Sequence, residues 1–360
     1  MSSGRPTAVV IAPGRGSYTA AEQGALRRHD ADPELRDLAQ GWIATFDAER
    51  ESAGLPLLRD LDQPPFRPAT HLKGENASAL IYATSFLDSL ALRAHFDIVG
   101  VGGNSLGWYS ALGVAGALPP EHAHRLIQTM ARLQAGVAGG QILYPRIDES
   151  TWLPDAELEA ALEGTLHAVR ASHGDEALAR SIELGGYAVL AGTEAGIQAA
   201  LATLPPLERG AKKYPLRLAM HGPFHTSLLR EVSARALEEL AELPWSAPEL
   251  PLVDGRGFLW SPWSADPQAL CEYTLGHQVT ETFDYSATVR VLLREFAPDV
   301  VILLGPGNPL GGPTAQVLLR EGWRGMRTRA DFDAVQKSER KALVSYGLEA
   351  ERARVALLPR

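Results

Sequence analysis

The sequence constrains the fold most strongly at a serine that lies between an apolar run and a segment rich in small residues. The run DIVGVGG (97–103) predicts a buried strand, and NSLGWYSALGVAGAL, which follows it directly, predicts a helix. The pattern G-N-S-L-G therefore places Ser105 on a sharp turn with its hydroxyl exposed. The N–H of Leu106, at the helix start, is a natural oxyanion donor. The bare pattern also arises by chance, but this context favours a nucleophile.

Further apolar runs alternate with helix-forming segments along the 360 residues. AVVIAPG and APDVVILLGPGNP predict buried strands that end in turns, and the alternation predicts a mostly parallel sheet covered on both faces. Sites in such sheets form beyond the carboxyl ends of the strands, where APGRGS, GGNSLG, MHGPFH and LLGPGNP all fall. From residue 136 the pattern changes, and it predicts a small α+β insertion.

A serine hydroxyl is a weak nucleophile unless a base accepts its proton, and histidine is the usual base because its pKa lies near neutrality. His225, in HGPFHTSLL, follows a predicted strand at the start of a helix, which places it on the same sheet edge as Ser105. A lone histidine more often caps a helix or lies at the surface, so this position alone leaves both interpretations open.

Composition argues against several other classes of protein. The net charge of -9, from 34 basic and 43 acidic residues, does not suit general nucleic-acid binding, which depends on neutralising phosphates. The single cysteine, Cys271, cannot form an internal disulfide or a cysteine-rich zinc site, and we expect no metal. No apolar run of about 18 residues predicts a membrane span, and the first residues lack the pattern of a secretory signal. We therefore expect a cytoplasmic protein with no nucleic-acid or membrane partner.

Five motifs, in the same order, resemble the malonyl-CoA:acyl-carrier-protein transacylase family, which includes the acyltransferase domains of fatty acid and polyketide synthases. PGRGS (13–17) resembles the family's PGQGS, and GNSLGWYSAL followed by AGAL resembles its GHSLGEYSAL and AGAL. FHT (224–226) resembles an FHS-type motif. QVTETFDY and LLGPGNPL (303–310) resemble the later Q-x-x-x-PVRW and EVGPG-x-x-L segments. The resemblance covers residues 8–320.

The resemblance implies an α/β fold, in which an α/β hydrolase-like core with a parallel sheet carries an inserted small ferredoxin-like subdomain. The expected division assigns 1–135 and 220–330 to the large subdomain and 136–219 to the small one. Residues 331–360 are expected to form a helical tail, which the resemblance does not reach.

The resemblance also implies an enzyme that moves an acyl group from coenzyme A to the phosphopantetheine thiol of an acyl carrier protein. Ser105 would carry the acyl group, His225 would act as base and then as acid, and the backbone carbonyl of Gln278 would orient His225. The backbone N–H groups of Leu106 and Arg15 would form the oxyanion hole. Acyl-CoA and phosphopantetheine are thus expected as substrates, with no tightly bound cofactor.

Three positions depart from the family pattern. Met130 stands where the malonyl enzymes hold the substrate carboxylate with an arginine, and Arg132, two residues further, would face another side of the helix. Asn104 replaces a histidine, and Trp108 replaces an acidic residue. Losing the arginine disfavours a malonyl group relative to uncharged acyl groups, because an Arg–carboxylate contact contributes about 1.5–3 kcal/mol. The identity of the acyl group is therefore open.

Arg15 replaces a family glutamine and adds a cation beside the acyl pocket. One interpretation is a relocated clamp for a substrate carboxylate, and the other is an arginine that faces solvent from its loop. Together with Asn104, Met130 and Phe224, Arg15 is expected to contact the substrate.

The sequence leaves three functions open. The first is acyl transfer from coenzyme A to a carrier protein, and the second is hydrolysis of acyl-carrier-protein thioesters on the same scaffold. The third is a binding protein without activity, which the altered pocket suggests and the intact Ser105, His225 and Gln278 oppose. A generic esterase would leave PGRGS and LLGPGNP without a role. An acidic carrier protein would need a basic patch on which to dock. The candidate residues for such a patch are Lys212, Lys213, Arg324, Arg327 and Arg329. The alternative is that these basic side chains form only a solvated face.

Overall fold

The computed structural model describes residues 4–356, which form two large sheets and a short hairpin. The first three residues of the expected large subdomain and the last four of the expected tail lie outside the described residues. The strands are β1 (Thr7–Ala12), β2 (Asp97–Gly103), β3 (Gly140–Pro145), β4 (Leu178–Leu184), β5 (Tyr187–Gly192), β6 (Leu207–Arg209), β7 (Lys212–Tyr214), β8 (Leu216–Arg217), β9 (Leu252–Val253), β10 (Leu259–Trp260), β11 (Phe283–Asp284), β12 (Val300–Leu303) and β13 (Leu343–Ser345).

Helices connect these strands and cover the sheets. They are α1 (Pro33–Ser52), α2 (Leu58–Leu61), α3 (Pro68–His71), α4 (Gly74–Leu92), α5 (Leu106–Val114), α6 (Pro120–Leu133), α7 (Ala156–His173), α8 (Glu194–Thr203), α9 (Arg230–Leu240), α10 (Pro267–Glu272), α11 (Gln278–Thr280), α12 (Tyr285–Phe296), α13 (Gly311–Arg320), α14 (Arg329–Lys337) and α15 (Glu349–Ala356). A turn of π-helix, Tyr273–His277, joins α10 to α11.

The larger sheet has the strand order β10-β9-β2-β1-β12-β13, and all its neighbours are parallel except β10 and β9. Its central strand β1 is inaccessible from Ala8 to Ala12, as expected for a parallel strand with helices on both faces. Helix α4 is buried on nearly every side, in agreement with a sequence whose apolar residues are spread all round the helix. The α/β class with a parallel sheet is confirmed.

Three loops leave the carboxyl end of this sheet side by side. The loop after β1 carries PGRGS, the turn after β2 carries Ser105, and the loop after β12 carries 305–310. Because β1 pairs with both β2 and β12, the parallel register brings all three to one edge.

The second sheet has the strand order β11-β4-β5-β3-β8 and encloses its own apolar core. The chain runs β3–α7–β4–β5–α8, then through the separate β6–β7 hairpin, and then into β8. Apart from that hairpin, this is the β-α-β-β-α-β succession of ferredoxin-like units. Strand β11 joins the edge of this sheet by parallel pairing with β4, although it lies beyond the 136–219 expected for the small subdomain. A segment that comes later in the chain, β11, therefore completes the edge of the second sheet.

The C-terminal segment is not only helical. Between α14 and α15, strand β13 pairs in parallel with β12 and forms one edge of the larger sheet. The expected helical tail therefore contains a strand as well, which the sequence did not indicate because three residues are too short to show a period.

Candidate active site

Ser105 lies on a tight turn between β2 and α5, and the close packing there requires glycine on both sides. A Cβ at Gly107 would lie 2.1 Å from the carbonyl oxygen of Ala12, and a Cβ at Gly103 would lie 2.1 Å from the backbone of Gly107. Ser105 itself has a φ of 56°, a left-handed value that is uncommon outside glycine. Such strain is tolerated where surrounding structure fixes the backbone, and it is concentrated at functional sites.

The Ser105 hydroxyl faces a buried histidine. Ser105 Oγ lies 2.8 Å from His225 Nε2, and His225 Nδ1 lies 2.6 Å from the backbone carbonyl oxygen of Gln278. A carbonyl oxygen can only accept, so Nδ1 carries the proton and Nε2 is left as an acceptor for the hydroxyl. His225 also has a left-handed φ, of 57°. The structure thus brings together Ser105, His225 and the Gln278 carbonyl, three of the five catalytic groups that the resemblance implies.

The carbonyl of Gln278 is free to accept because it lies in the last turn of a helix, where carbonyls lack intrahelical partners. The side chain of Gln278 is also held in place. Its Oε1 accepts from Tyr109 Oη at 2.7 Å, and its Nε2 donates to the carbonyl oxygen of Ser105 at 3.3 Å. Tyr109 and Gln278 therefore tie the histidine's support to the turn that holds Ser105.

The His225 ring is held neutral by its surroundings. Burial, opposed by the hydrogen bond to the Gln278 carbonyl and assisted by the charge of Arg15, lowers the pKa of His225 to about 4 from 6.5. At neutral pH the ring can therefore accept a proton from the serine.

Two backbone amides lie near the serine turn. Leu106 is the first residue of α5, and a first-turn N–H has no intrahelical acceptor. The loop that carries Arg15 packs on the same turn, because a Cβ at Gly14 would lie 2.9 Å from the carbonyl oxygen of Asn104. The assignment of these two amides to an oxyanion hole stays a prediction.

A cavity of about 310 Å³ opens beside Ser105 between the two sheets. All four residues expected to contact substrate line it, namely Arg15, Asn104, Met130 and Phe224. No aspartate or glutamate of the described chain lines this cavity, whereas Arg15 and Lys212 do. The cavity therefore combines apolar walls with net positive charge.

The departures from the family pattern are placed as follows. Met130 is buried in the wall of the cavity, and Arg132 lies outside it in an ion pair with Glu239. Trp108 is fully buried and donates from Nε1 to Thr274 Oγ1 at 3.0 Å, so it packs the serine helix against the π-helical turn.

Several polar residues that line the cavity were not among the expected site residues, and Ser78, Tyr109 and Gln134 are three of them. Gln134 follows Met130 by one helical turn, and that spacing could have found it. Ser78 is one of several buried polar residues in α4, so its sequence position gives no comparable signal.

The basic candidates for a docking patch lie in different settings. Lys213 pairs with Glu208, Arg324 donates to backbone carbonyls, and Arg329 packs over the Trp152 ring. Lys212 is exposed at the cavity.

The structure bears on two other classes of site within residues 4–356. No cluster of three or more histidine, cysteine, aspartate or glutamate side chains there is placed to hold a metal ion. No helix in this range has both the length and the apolar character needed to cross a membrane.

Comparison with known proteins supports the resemblance expected from the motifs. No family model matches the chain. It is 26% identical over 244 residues to the malonyl CoA-acyl carrier protein transacylase of Haemophilus influenzae, which covers 65% of this chain and 70% of that protein. The structure matches the malonyl-CoA:acyl carrier protein transacylase of Xanthomonas oryzae with a TM-score of 0.74 and 21% identity, over 99% of each chain.

Two further solved structures agree. An acyl-carrier-protein S-malonyltransferase from Burkholderia pseudomallei matches with a TM-score of 0.72 and 21% identity, over 98% of this chain and 100% of that one. A malonyl-transacylase in complex with its type II polyketide synthase acyl-carrier protein matches with a TM-score of 0.71 and 18% identity, over 98% and 99%. The resemblance to this transacylase family is confirmed, and the chain has its fold.

Proposed function

We propose that this protein is an acyltransferase that moves an acyl group from coenzyme A to the phosphopantetheine thiol of an acyl carrier protein. The observation that carries the proposal is the chain of contacts from Ser105 Oγ to His225 and on to the Gln278 carbonyl, beside the cavity. The relatives named as transacylases, one of them in complex with its carrier protein, support the same substrates.

The first half-reaction forms an ester on Ser105. His225 Nε2 accepts the hydroxyl proton as Oγ attacks the thioester carbonyl, and the carbonyl oxygen becomes an oxyanion between the N–H groups of Leu106 and Arg15. When the tetrahedral intermediate collapses, the carbon–sulfur bond breaks and His225 returns the proton to the thiolate of coenzyme A. The Gln278 carbonyl stabilises the protonated ring in place of a carboxylate.

The second half-reaction reverses the first with another thiol. The phosphopantetheine thiol gives its proton to His225, attacks the ester carbonyl, and Ser105 Oγ leaves with that proton. This order of events predicts ping-pong kinetics. Acyl-CoA and phosphopantetheine act as substrates, and the proposal includes no tightly bound cofactor.

Intact-mass measurement tests this proposal. We expect the protein to gain one acyl group on Ser105 when it is mixed with an acyl-CoA, and to pass it to an added holo-carrier protein. Apo-carrier protein, which lacks the thiol, is the matched control and should gain nothing. Loss of the acyl group to water at the same rate with either carrier would instead indicate a hydrolase. No label from any acyl-CoA would indicate a binding protein.

We expect acylation to lose activity on the acid side at an unusually low pH. Neutral His225 is the active form, so the rate rises with pH through its pKa and stays level above it. Because burial lowers that pKa to about 4, kcat/KM for acylation should change little between about pH 7 and pH 5 and fall below that. Stopped-flow acylation across pH checks this, and a midpoint near the ordinary histidine value would contradict it.

A further inference from the structure

The side chain of Arg15 is held inside the site without an ionic partner. Its guanidinium carbon lies 4.7 Å from the centre of the Phe224 ring, and its Nη2 donates to Gln134 Oε1 at 3.2 Å. No carboxylate of the described residues forms an ion pair with it. The interpretation of Arg15 as a solvent-facing loop residue therefore does not fit, since two elements and an aromatic ring fix its position.

The surroundings of Arg15 make the electrostatic potential around its guanidinium more positive. A Cβ at Gly74 would lie 3.1 Å from Arg15 Nη2, so the guanidinium packs against the first turn of α4, where the helix dipole is positive. Burial lowers the pKa of Arg15 to about 10. A cation in this position is costly unless an anion joins it, and no acidic side chain of the described chain lines the cavity.

Ser78 lies one turn further along α4 and supplies a second unsatisfied group. It is fully buried, its Oγ has no hydrogen-bond partner, and it lines the same cavity. A buried hydroxyl without a partner loses the hydrogen bonds that it makes in water. A hydroxyl can donate to a carboxylate, as a guanidinium does. Arg15 and Ser78 thus provide donors in a cavity that Met130 also lines with an apolar side chain.

We propose that Arg15 and Ser78 bind the free carboxylate of a dicarboxylic acyl group, such as malonyl, while the acyl-enzyme forms on Ser105. This inference rests on the proposed function, and it assigns the carboxylate to the loop after β1 and to α4 rather than to position 130 on α6. Met130 then packs against the carbon chain of the acyl group.

A competition experiment tests this assignment. Equal amounts of malonyl-CoA and acetyl-CoA compete for one enzyme, and mass spectrometry gives the ratio of malonyl to acetyl on Ser105. Samples quenched before released coenzyme A can reverse the acylation give the ratio of the two kcat/KM values. We expect Arg15→Gln to lower this ratio by about 10- to 100-fold. Ser78→Ala should lower it by about 5-fold. Arg15→Lys should recover only part of the loss, because it keeps the charge but not the forked geometry.

The matched control is Arg132→Gln, which removes an exposed arginine that lies outside the cavity. It should leave the ratio unchanged. Thermal unfolding of each variant establishes that it is folded. A ratio that stays within about twofold in Arg15→Gln, including an equal loss with both substrates, would overturn the assignment. The summed label on Ser105 in the unsubstituted protein reports on the proposed function separately, since it is absent only if no acyl-enzyme forms.

Discussion

Replacing Ser105 with alanine is expected to abolish the acyl-enzyme and to lower the transfer rate by about 10⁴-fold or more. Among the described residues, the Ser105 hydroxyl forms a hydrogen bond with His225 alone, so its loss removes the nucleophile without disturbing other hydrogen bonds. Alanine keeps the Cβ, so the left-handed backbone is no more strained than with serine. Intact mass after mixing with acyl-CoA should show no label, while the melting temperature stays close to that of the unsubstituted protein.

His225 offers the matching test because the two residues are proposed to act as one unit. Asparagine is the suitable replacement, since it tolerates the φ of 57° and lacks a basic nitrogen. We expect His225→Asn alone and together with Ser105→Ala to reduce transfer by similar factors, because removing either member already disables the pair. If the loss in the double variant equals the product of the two single-variant losses, the two residues contribute independently, which would contradict the mechanism.

The serine turn could be placed from sequence because all its determinants are local. A buried strand, two glycines and a helix are contiguous in 97–114, and their packing on β1 follows from the parallel order of the strands. The position of Met130 in the cavity wall was expected from the resemblance, because it stands where the family has its carboxylate-binding arginine.

The conformation of the Arg15 side chain could not be predicted in the same way. It depends on α4, on Gln134 at the end of α6, and on Phe224, which are far apart in the chain. Strand β13 was missed for a related reason, since it is held by pairing with β12 and its sequence is too short to show a period. What escaped prediction are the features that arise from contacts between distant segments.

The packing of the serine turn on β1 also predicts a large loss of stability. In Gly107→Ala the new methyl group would lie 2.1 Å from the carbonyl oxygen of Ala12 and 2.9 Å from that of Pro13. These are backbone atoms in the central strand and the loop after it, so they cannot rotate away as a side chain could. Helix α5 would have to move, and we expect the free energy of unfolding to fall by about 3 kcal/mol.

Gly41→Ala is the control for this substitution. Gly41 lies within α1, and no neighbouring atom lies within 4 Å of the place that the new methyl group would take, so alanine should stabilise the helix by up to about 1 kcal/mol. Urea denaturation of the two variants should therefore shift the midpoint in opposite directions. Gly107→Ala should also slow the acylation of Ser105 at urea concentrations below its unfolding midpoint, where the variant is still folded, because moving α5 displaces Ser105 from His225. Full stability and full acylation in that variant would show that the turn is not packed against β1 as described.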